Sequence, residues 1–194
     1  WLSSIAYTEG FYYKPRIDFK LLEKYHEGLI CLSACLQGEV PQALLHGDEA
    51  HAEEVAKRYA ELFGPDRYYI EVQDHGVEEQ KRVAPRLIAL AKKLNIPAVL
   101  TNDEHYCMKE DAEAQDVLRC IGFQTKLSEP HQTMGDGRAE WYFKSEGEMR
   151  SLFPDYPELM ANTLKIADMC NLTIHQYDTV YFTSNNCLLL VSSR

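Results

Sequence analysis

Three short apolar runs, each followed by a polar loop and an amphipathic helical pattern, constrain the fold of this chain more than any other feature. They occupy residues 29–32, 68–72 and 96–100, at intervals of roughly 30 residues. Such runs are typical of buried strands, and strands separated by a helix pair in parallel because the chain must cross over between them. The pattern predicts an α/β fold in which parallel strands alternate with helices.

The loops that follow the predicted strands carry the polar residues of greatest chemical interest. In folds built from parallel βα units, the loops after the carboxyl ends of the strands form the functional site. The first loop contains Cys35, the second contains Gln73 and His75, and the third contains Asp103 and His105. We therefore expect these side chains at one edge of the sheet.

Asp103 and His105 form the most specific local pattern for metal binding. Residues two apart on an extended segment point to the same side, so a carboxylate oxygen and an imidazole nitrogen can reach one ion. The alternative is an exposed D-x-H sequence without a metal, which is common in loops.

The other two loops offer weaker candidates. Cys35 could supply a thiolate as a third ligand, soft enough to favour zinc, although a lone cysteine is more often a small buried thiol. Cys31 lies inside the apolar run and is expected in the core. Gln73 and His75 could support the metal ligands or contact a substrate, or they could simply stabilise a turn.

Composition limits the classes of function that the chain can have. Twenty Lys and Arg against thirty Asp and Glu give a net charge of −10, which disfavours a passive duplex-DNA coat because such binding needs basic residues. An acidic chain can still act on nucleic acid when metal ions supply the positive charge. Six irregularly spaced cysteines, no signal peptide and no apolar stretch of about 18 residues predict a cytoplasmic chain with free thiols and no membrane partner.

An aromatic and basic segment near the start is a candidate for nucleic-acid contact. Tyr12 and Tyr13 could stack on single-stranded bases, while Lys14 and Arg16 contact phosphates. The same pattern also occurs where a chain passes from the surface into the core, and this second interpretation stays open.

Several ordered motifs resemble the PHP (polymerase and histidinol phosphatase) domain of bacterial DNA polymerase III alpha subunits. The resemblance covers roughly residues 3 to 174 and rests on EGFYYKPRID at 9–18, LSACLQGE at 32–39, EVQDHG at 71–76, TNDEHY at 101–106 and DAEAQDVL at 111–118. Each motif alone is weak, whereas their order and separations together are specific.

The resemblance implies a partial, distorted βα barrel whose strand ends hold up to three divalent ions of zinc, manganese or magnesium. Cys35, Asp103 and His105 match metal-ligand positions of the family. The implied activity is 3′–5′ exonuclease or phosphoesterase chemistry within a DNA-directed DNA polymerase. The implied partners are DNA, a proofreading exonuclease subunit and a sliding clamp.

Two alternatives to a catalytic polymerase module stay open. Some members of the family have lost ligands and keep the domain for structure and partner docking. A free-standing PHP phosphoesterase acting on a small substrate is also conceivable, although the polymerase-type run at 11–18 argues against it.

The resemblance also predicts where the domain begins and ends. Residues 1–174 are expected to form a PHP domain without its N-terminal part, because the family's H-x-H pair and its other upstream ligands have no counterpart. Residues 175–194 read as an atypical tail, either disordered or out of frame. Missing strands should leave an open sheet edge, so we expect this fragment to associate or dissolve poorly when expressed alone.

Overall fold

The computed structural model describes residues 1–128 and 140–173, so the predicted tail at 175–194 lies outside the described residues. The described parts contain eight α-helices and three strands. The helices are α1 Leu2–Thr8, α2 Phe19–Tyr25, α3 Glu39–Leu45, α4 Glu49–Phe63, α5 Glu78–Leu94, α6 Ala112–Phe123, α7 Glu146–Leu152 and α8 Pro157–Met169. The strands are β1 Cys31–Leu32, β2 Tyr68–Val72 and β3 Ala98–Leu100.

The three strands form one parallel sheet in the order β1-β2-β3. Cys31 lies opposite Tyr68 in the first pair, and Ile70 lies opposite Ala98 in the second. Each pair is joined through helices, α3 and α4 before β2 and α5 before β3. The predicted α/β fold with parallel strands alternating with helices is confirmed, and the arrangement is a partial βα barrel.

Strands β1 and β3 are shorter than their apolar runs because neighbouring helix ends use part of each run. The amide of Leu29 donates to the carbonyl of His26 at 3.0 Å, in the turn that closes α2. The amide of Ile96 donates to Ala91 at 3.0 Å, after Asn95 ends α5 in a left-handed conformation. These amides are therefore unavailable to the sheet.

The core lies between β2 and the helices that cover it. Residues Tyr69, Ile70 and Val72 are fully buried, and α5 contributes an apolar face that includes Val83 and Leu87. Pro85 lies in the interior of α5, yet the helix runs unbroken through it. Pro85 and Lys81 are both exposed, so the Lys81 carbonyl that loses its amide partner can be hydrated instead.

The two outer strands are bounded differently. Asn162 of α8 donates its side-chain amide to the Ala98 carbonyl at 2.7 Å, which covers the outer edge of β3. Within residues 1–128 and 140–173, β1 pairs with β2 alone. The absence of the domain's first strands, and the association that an open edge should cause, both stay predictions. No helix in the described ranges is long and apolar enough to cross a lipid bilayer.

Candidate metal centre at the carboxyl edge of the sheet

The parallel register brings the three predicted polar loops to one edge of the sheet. Cys35 follows β1, Gln73 and His75 follow β2, and Asp103 and His105 follow β3. The prediction that these loops share an edge is confirmed by the sheet topology. The contacts of each loop show which of these side chains could bind the same ion.

Asp103 and His105 lie close enough to bind the same ion. The Asp103 Oδ1 and His105 Nε2 atoms are 3.6 Å apart, and the two side chains are 44% and 40% exposed. Asp103 has a left-handed backbone with φ of 49°, which costs an L-residue about 1–2 kcal/mol. A hard oxygen and an imidazole nitrogen at this separation form two accessible donors suited to zinc or manganese.

Cys35 lies in a tight loop whose shape depends on Gly38. Ala34 has φ of 66°, and the Gly38 amide donates to the Cys35 carbonyl at 2.8 Å. A methyl group on Gly38 would lie only 2.2 Å from the Ser33 carbonyl oxygen, so only glycine fits. The Cys35 thiol itself is half-buried.

A small cavity joins the thiol to the second loop. It has a volume of about 10 Å³, room for one water-sized sphere, and its lining includes Cys35, Glu71 and Gln73. The Gln73 amide nitrogen donates to Thr101 Oγ1 at 3.0 Å and to Glu71 Oε1 at 3.2 Å. Its Oε1 atom is buried and has no hydrogen-bond partner within the described residues, so it is available to a cation or to a water on that cation.

His75 is buried, and both of its ring nitrogens are occupied. Nε2 lies within hydrogen-bond distance of the Asn102 carbonyl, which can only accept, so Nε2 carries the proton. Nδ1 then accepts from the Gln80 side-chain nitrogen at 2.9 Å, while Gln80 Oε1 accepts from the His75 amide at 2.7 Å. Burial is the main cause that lowers the pKa of His75. These contacts favour a supporting role over direct contact with a substrate.

A segment distant in sequence runs alongside the third loop. The Asn102 side chain donates to the Tyr142 carbonyl at 2.7 Å, and the amide of His105 donates to the Trp141 carbonyl at 2.8 Å. Lys144 is almost completely buried, and its Nζ lies 3.4 Å from Asn102 Oδ1 and 3.7 Å from Glu140 Oε2. Burial is the main cause that lowers the pKa of Lys144. Residues 140–144 thus hold the backbone beside Asp103.

Sequence reasoning missed Glu71, Thr101 and Lys144. For Glu71 a signal was present, since it is the one charged residue in the apolar run at 68–72. For Lys144 there was no local signal, because its burial depends on contact with Asn102, 42 residues earlier in the chain.

The predicted nucleic-acid segment is exposed in full. Tyr12, Tyr13, Lys14 and Arg16 are all exposed, and Tyr13 is 83% accessible. The Tyr12 and Tyr13 rings meet edge to face at 4.7 Å, and the Arg16 guanidinium lies 5.7 Å from the Tyr12 ring centre. The group is accessible to a ligand, and its role in DNA binding stays a prediction.

No group of three or more His, Cys, Asp or Glu side chains converges on one point in the described parts of the chain. The third loop therefore offers a two-donor site, while Cys35 faces the neighbouring cavity. The predicted three-residue ligand set stays a proposal.

The chain is similar in sequence to a known domain family and to a known class of polymerase subunits. A family model described as PHP domain matches residues 1–75. The DNA polymerase III subunit alpha of Treponema pallidum is 54% identical over 175 residues, which are 90% of this chain and 15% of that protein. The chain is a homologue of part of the DNA polymerase III alpha subunit.

Other alpha subunits match the same stretch. That of Borreliella burgdorferi is 44% identical over 88% of this chain and 15% of its own length, and that of Thermus aquaticus is 42% identical over 89% and 14%. The chain spans about 15% of the length of these curated relatives. The alpha-subunit relationship extends beyond the 75 residues matched by the PHP model, while the domain limits at 1 and 174 stay a prediction.

Proposed function

We propose that this chain is the PHP region of a replicative DNA polymerase alpha subunit and contributes a divalent metal site for hydrolysis of phosphodiesters at a 3′ end. The observation that carries this proposal is the pair of exposed donors in Asp103 and His105, 3.6 Å apart at the carboxyl edge of parallel strands. The identity to alpha subunits supports the DNA substrate class.

Three side chains would hold the metal. Asp103 and His105 would bind one ion, and Cys35 would supply a thiolate toward the cavity that it shares with Gln73. A bound divalent ion lowers the pKa of water and neutralises phosphate charge, which is the chemistry that phosphodiester cleavage requires. Zinc suits this mixed oxygen, nitrogen and sulfur donor set better than manganese or magnesium, which prefer oxygen ligands, and the family pattern implies up to three ions.

The chain's own residues prepare this site in two ways. His75 holds the Asn102 carbonyl, which fixes the backbone at the start of the Asp103 loop. The exposed group of Tyr12, Tyr13, Lys14 and Arg16 would bind a single DNA strand through stacking and phosphate contacts. In the whole polymerase we propose that the partners are DNA, a proofreading exonuclease subunit and a sliding clamp. We propose that this polymerase acts in the cytoplasm.

A second candidate is a non-catalytic module that stabilises the polymerase and docks other subunits. It is favoured by the lack of a three-ligand cluster in the described residues. The two candidates differ in whether the chain binds metal at the predicted residues.

The experiment is a titration of the 194-residue chain with Co²⁺, a zinc substitute whose spectrum reports thiolate and imidazole ligands. Asp103→Asn, His105→Asn and Cys35→Ser are each expected to weaken binding by at least about tenfold, and Asp155→Asn, at an exposed position, serves as the matched control. Equal binding by the wild type and the three variants, or no binding at all, would reject the metal site and leave the docking module.

A further inference from the structure

Glu71 connects the two loops that carry the proposed ligands. Its backbone amide donates to Ser33 Oγ at 2.8 Å, and its Oε1 atom accepts from Thr101 Oγ1 at 2.5 Å. Ser33 precedes Cys35 by two positions, and Thr101 precedes Asp103 by two positions. One residue of the central strand therefore contacts the start of both ligand loops.

The position of Glu71 in a mostly apolar strand is energetically unfavourable for a carboxylate. It lies half-buried in β2 between the fully buried Ile70 and Val72. Its hydrogen-bond partners Ser33, Gln73 and Thr101 are all neutral. Placing a carboxylate inside an apolar strand costs free energy that neutral hydrogen bonds offset only in part.

The geometry makes the connection stiff. Glu71 Oε1 accepts from both Thr101 Oγ1 and Gln73 Nε2, and the Gln73 nitrogen also donates to Thr101, so the three groups form a closed triangle of hydrogen bonds. Hydrogen bonds to a charged acceptor are about twice as strong as neutral ones. The triangle borders the cavity that Cys35 lines, so a movement of Glu71 alters that cavity directly.

We propose that Glu71 is a positioning residue that sets the separation between the Cys35 loop and the Asp103 loop and thereby the metal affinity of the site. This inference rests on the proposed metal function. It concerns an outer residue that does not itself bind the ion, and residues of this kind typically change metal affinity by 10–100-fold.

The test uses variants that distinguish loss of the Thr101–Glu71 hydrogen bond from loss of the Glu71 charge. Thr101→Val removes the hydroxyl that donates to Glu71 without changing any charge, Thr101→Ser restores it, and Glu71→Gln weakens the bond while retaining the shape of the side chain. Thr163→Val, on α8, is the matched control, since that hydroxyl donates only to the nearby Met160 carbonyl. Co²⁺ affinity, the cobalt–thiolate absorption band and urea unfolding without metal are measured for each protein.

We expect Thr101→Val and Glu71→Gln to weaken Co²⁺ binding by about tenfold and to reduce the thiolate band, while Thr101→Ser and Thr163→Val stay near the wild type. Should Thr101→Val not fold, Ser33→Ala, which removes the acceptor for the Glu71 amide, replaces it. Wild-type binding together with unchanged affinity in Thr101→Val and Glu71→Gln overturns this inference and leaves the metal site standing. A wild type that binds no Co²⁺ rejects the proposed function itself.

Discussion

The imidazole of His75 lies flat against the indole of Trp141, with ring centres 4.8 Å apart and planes only 4° from parallel. The stack joins the loop after β2 to the segment that runs alongside the Asp103 loop. Because His75 also donates to the Asn102 carbonyl, one buried ring contacts both the third loop and the segment beside it. We therefore expect the protonation state of His75 to affect the stability of this edge of the sheet.

We predict that His75 makes stability depend on pH below its ordinary pKa. Burial lowers the pKa of His75 from 6.5, so the unfolded chain takes up the proton first as the pH falls. The contribution is complete above about pH 6.5 and declines below it, by at most about 1.4 kcal/mol per pH unit, until the lower folded pKa is reached. The charged groups near the ring are Lys144, which lowers the pKa, and Asp103, which raises it.

The measurement is urea unfolding between pH 5 and 8 for the wild type, His75→Gln and the exposed His51→Gln as control. His75→Gln should be less stable at neutral pH and should lose this part of the pH dependence. The same slope in His75→Gln as in the wild type would contradict a neutral, buried His75.

A second prediction concerns the loop of Cys35. Gly38→Ala should destabilise the chain by about 1–3 kcal/mol, because the added methyl group would meet the Ser33 carbonyl oxygen at 2.2 Å. Gly122→Ala is the matched control, since a methyl group on that residue of α6 meets nothing within 4 Å and improves helix propensity. Urea midpoints of the wild type and both variants measure this effect. A Gly38→Ala midpoint equal to that of the wild type would show that the loop tolerates a side chain at this position.

Cys31 should react slowly with alkylating reagents. Burial, followed by the negative charge of Glu71, raises the pKa of Cys31 to about 11, so its thiol is protonated at pH 8. Iodoacetamide followed by peptide mass mapping should find the exposed Cys107 and Cys170 modified well before Cys31. Modification of Cys31 at the same rate as these two would mean that β1 opens readily.

The exposed aromatic and basic segment leads to a prediction for DNA binding. The double variant Lys14→Ala with Arg16→Ala should weaken binding to a fluorescent oligothymidine and lower the salt dependence by about 1.4 in the log–log slope. Tyr13→Leu should cost about 1–3 kcal/mol through lost stacking. Fluorescence anisotropy at several salt concentrations measures both effects.

The control for this binding experiment makes the same change of charge elsewhere. Lys81→Ala with Arg82→Ala removes two exposed basic residues on α5. Equal losses in the two double variants would show that net charge alone governs binding, and that the segment at 12–16 has no specific role.

The elements that could be predicted are those with a local cause. The run at 68–72 has the apolar and aromatic residues of a buried strand, and it forms β2 over the same residues. Ser145 begins α7 for a local reason, because its side chain accepts from the Glu148 amide and the Glu148 side chain accepts from the Ser145 amide. Pro85 lies inside α5 without ending it, since a helix accepts proline where the freed carbonyl meets water.

The amino-acid sequence by itself determined which segments become strands and which loops between them are polar. Periodicity and backbone preference act over a few neighbouring residues, so these features need no knowledge of the fold. The approach of Asp103 to His105 was expected from an extended backbone, but Asp103 is left-handed with φ of 49°, so their 3.6 Å separation depends on the folded loop. Only the tertiary structure decided that Glu71 contacts Thr101 and that His75 stacks on Trp141. Those contacts join residues 30 and 66 positions apart, and they depend on how the strands and loops align once the core has packed.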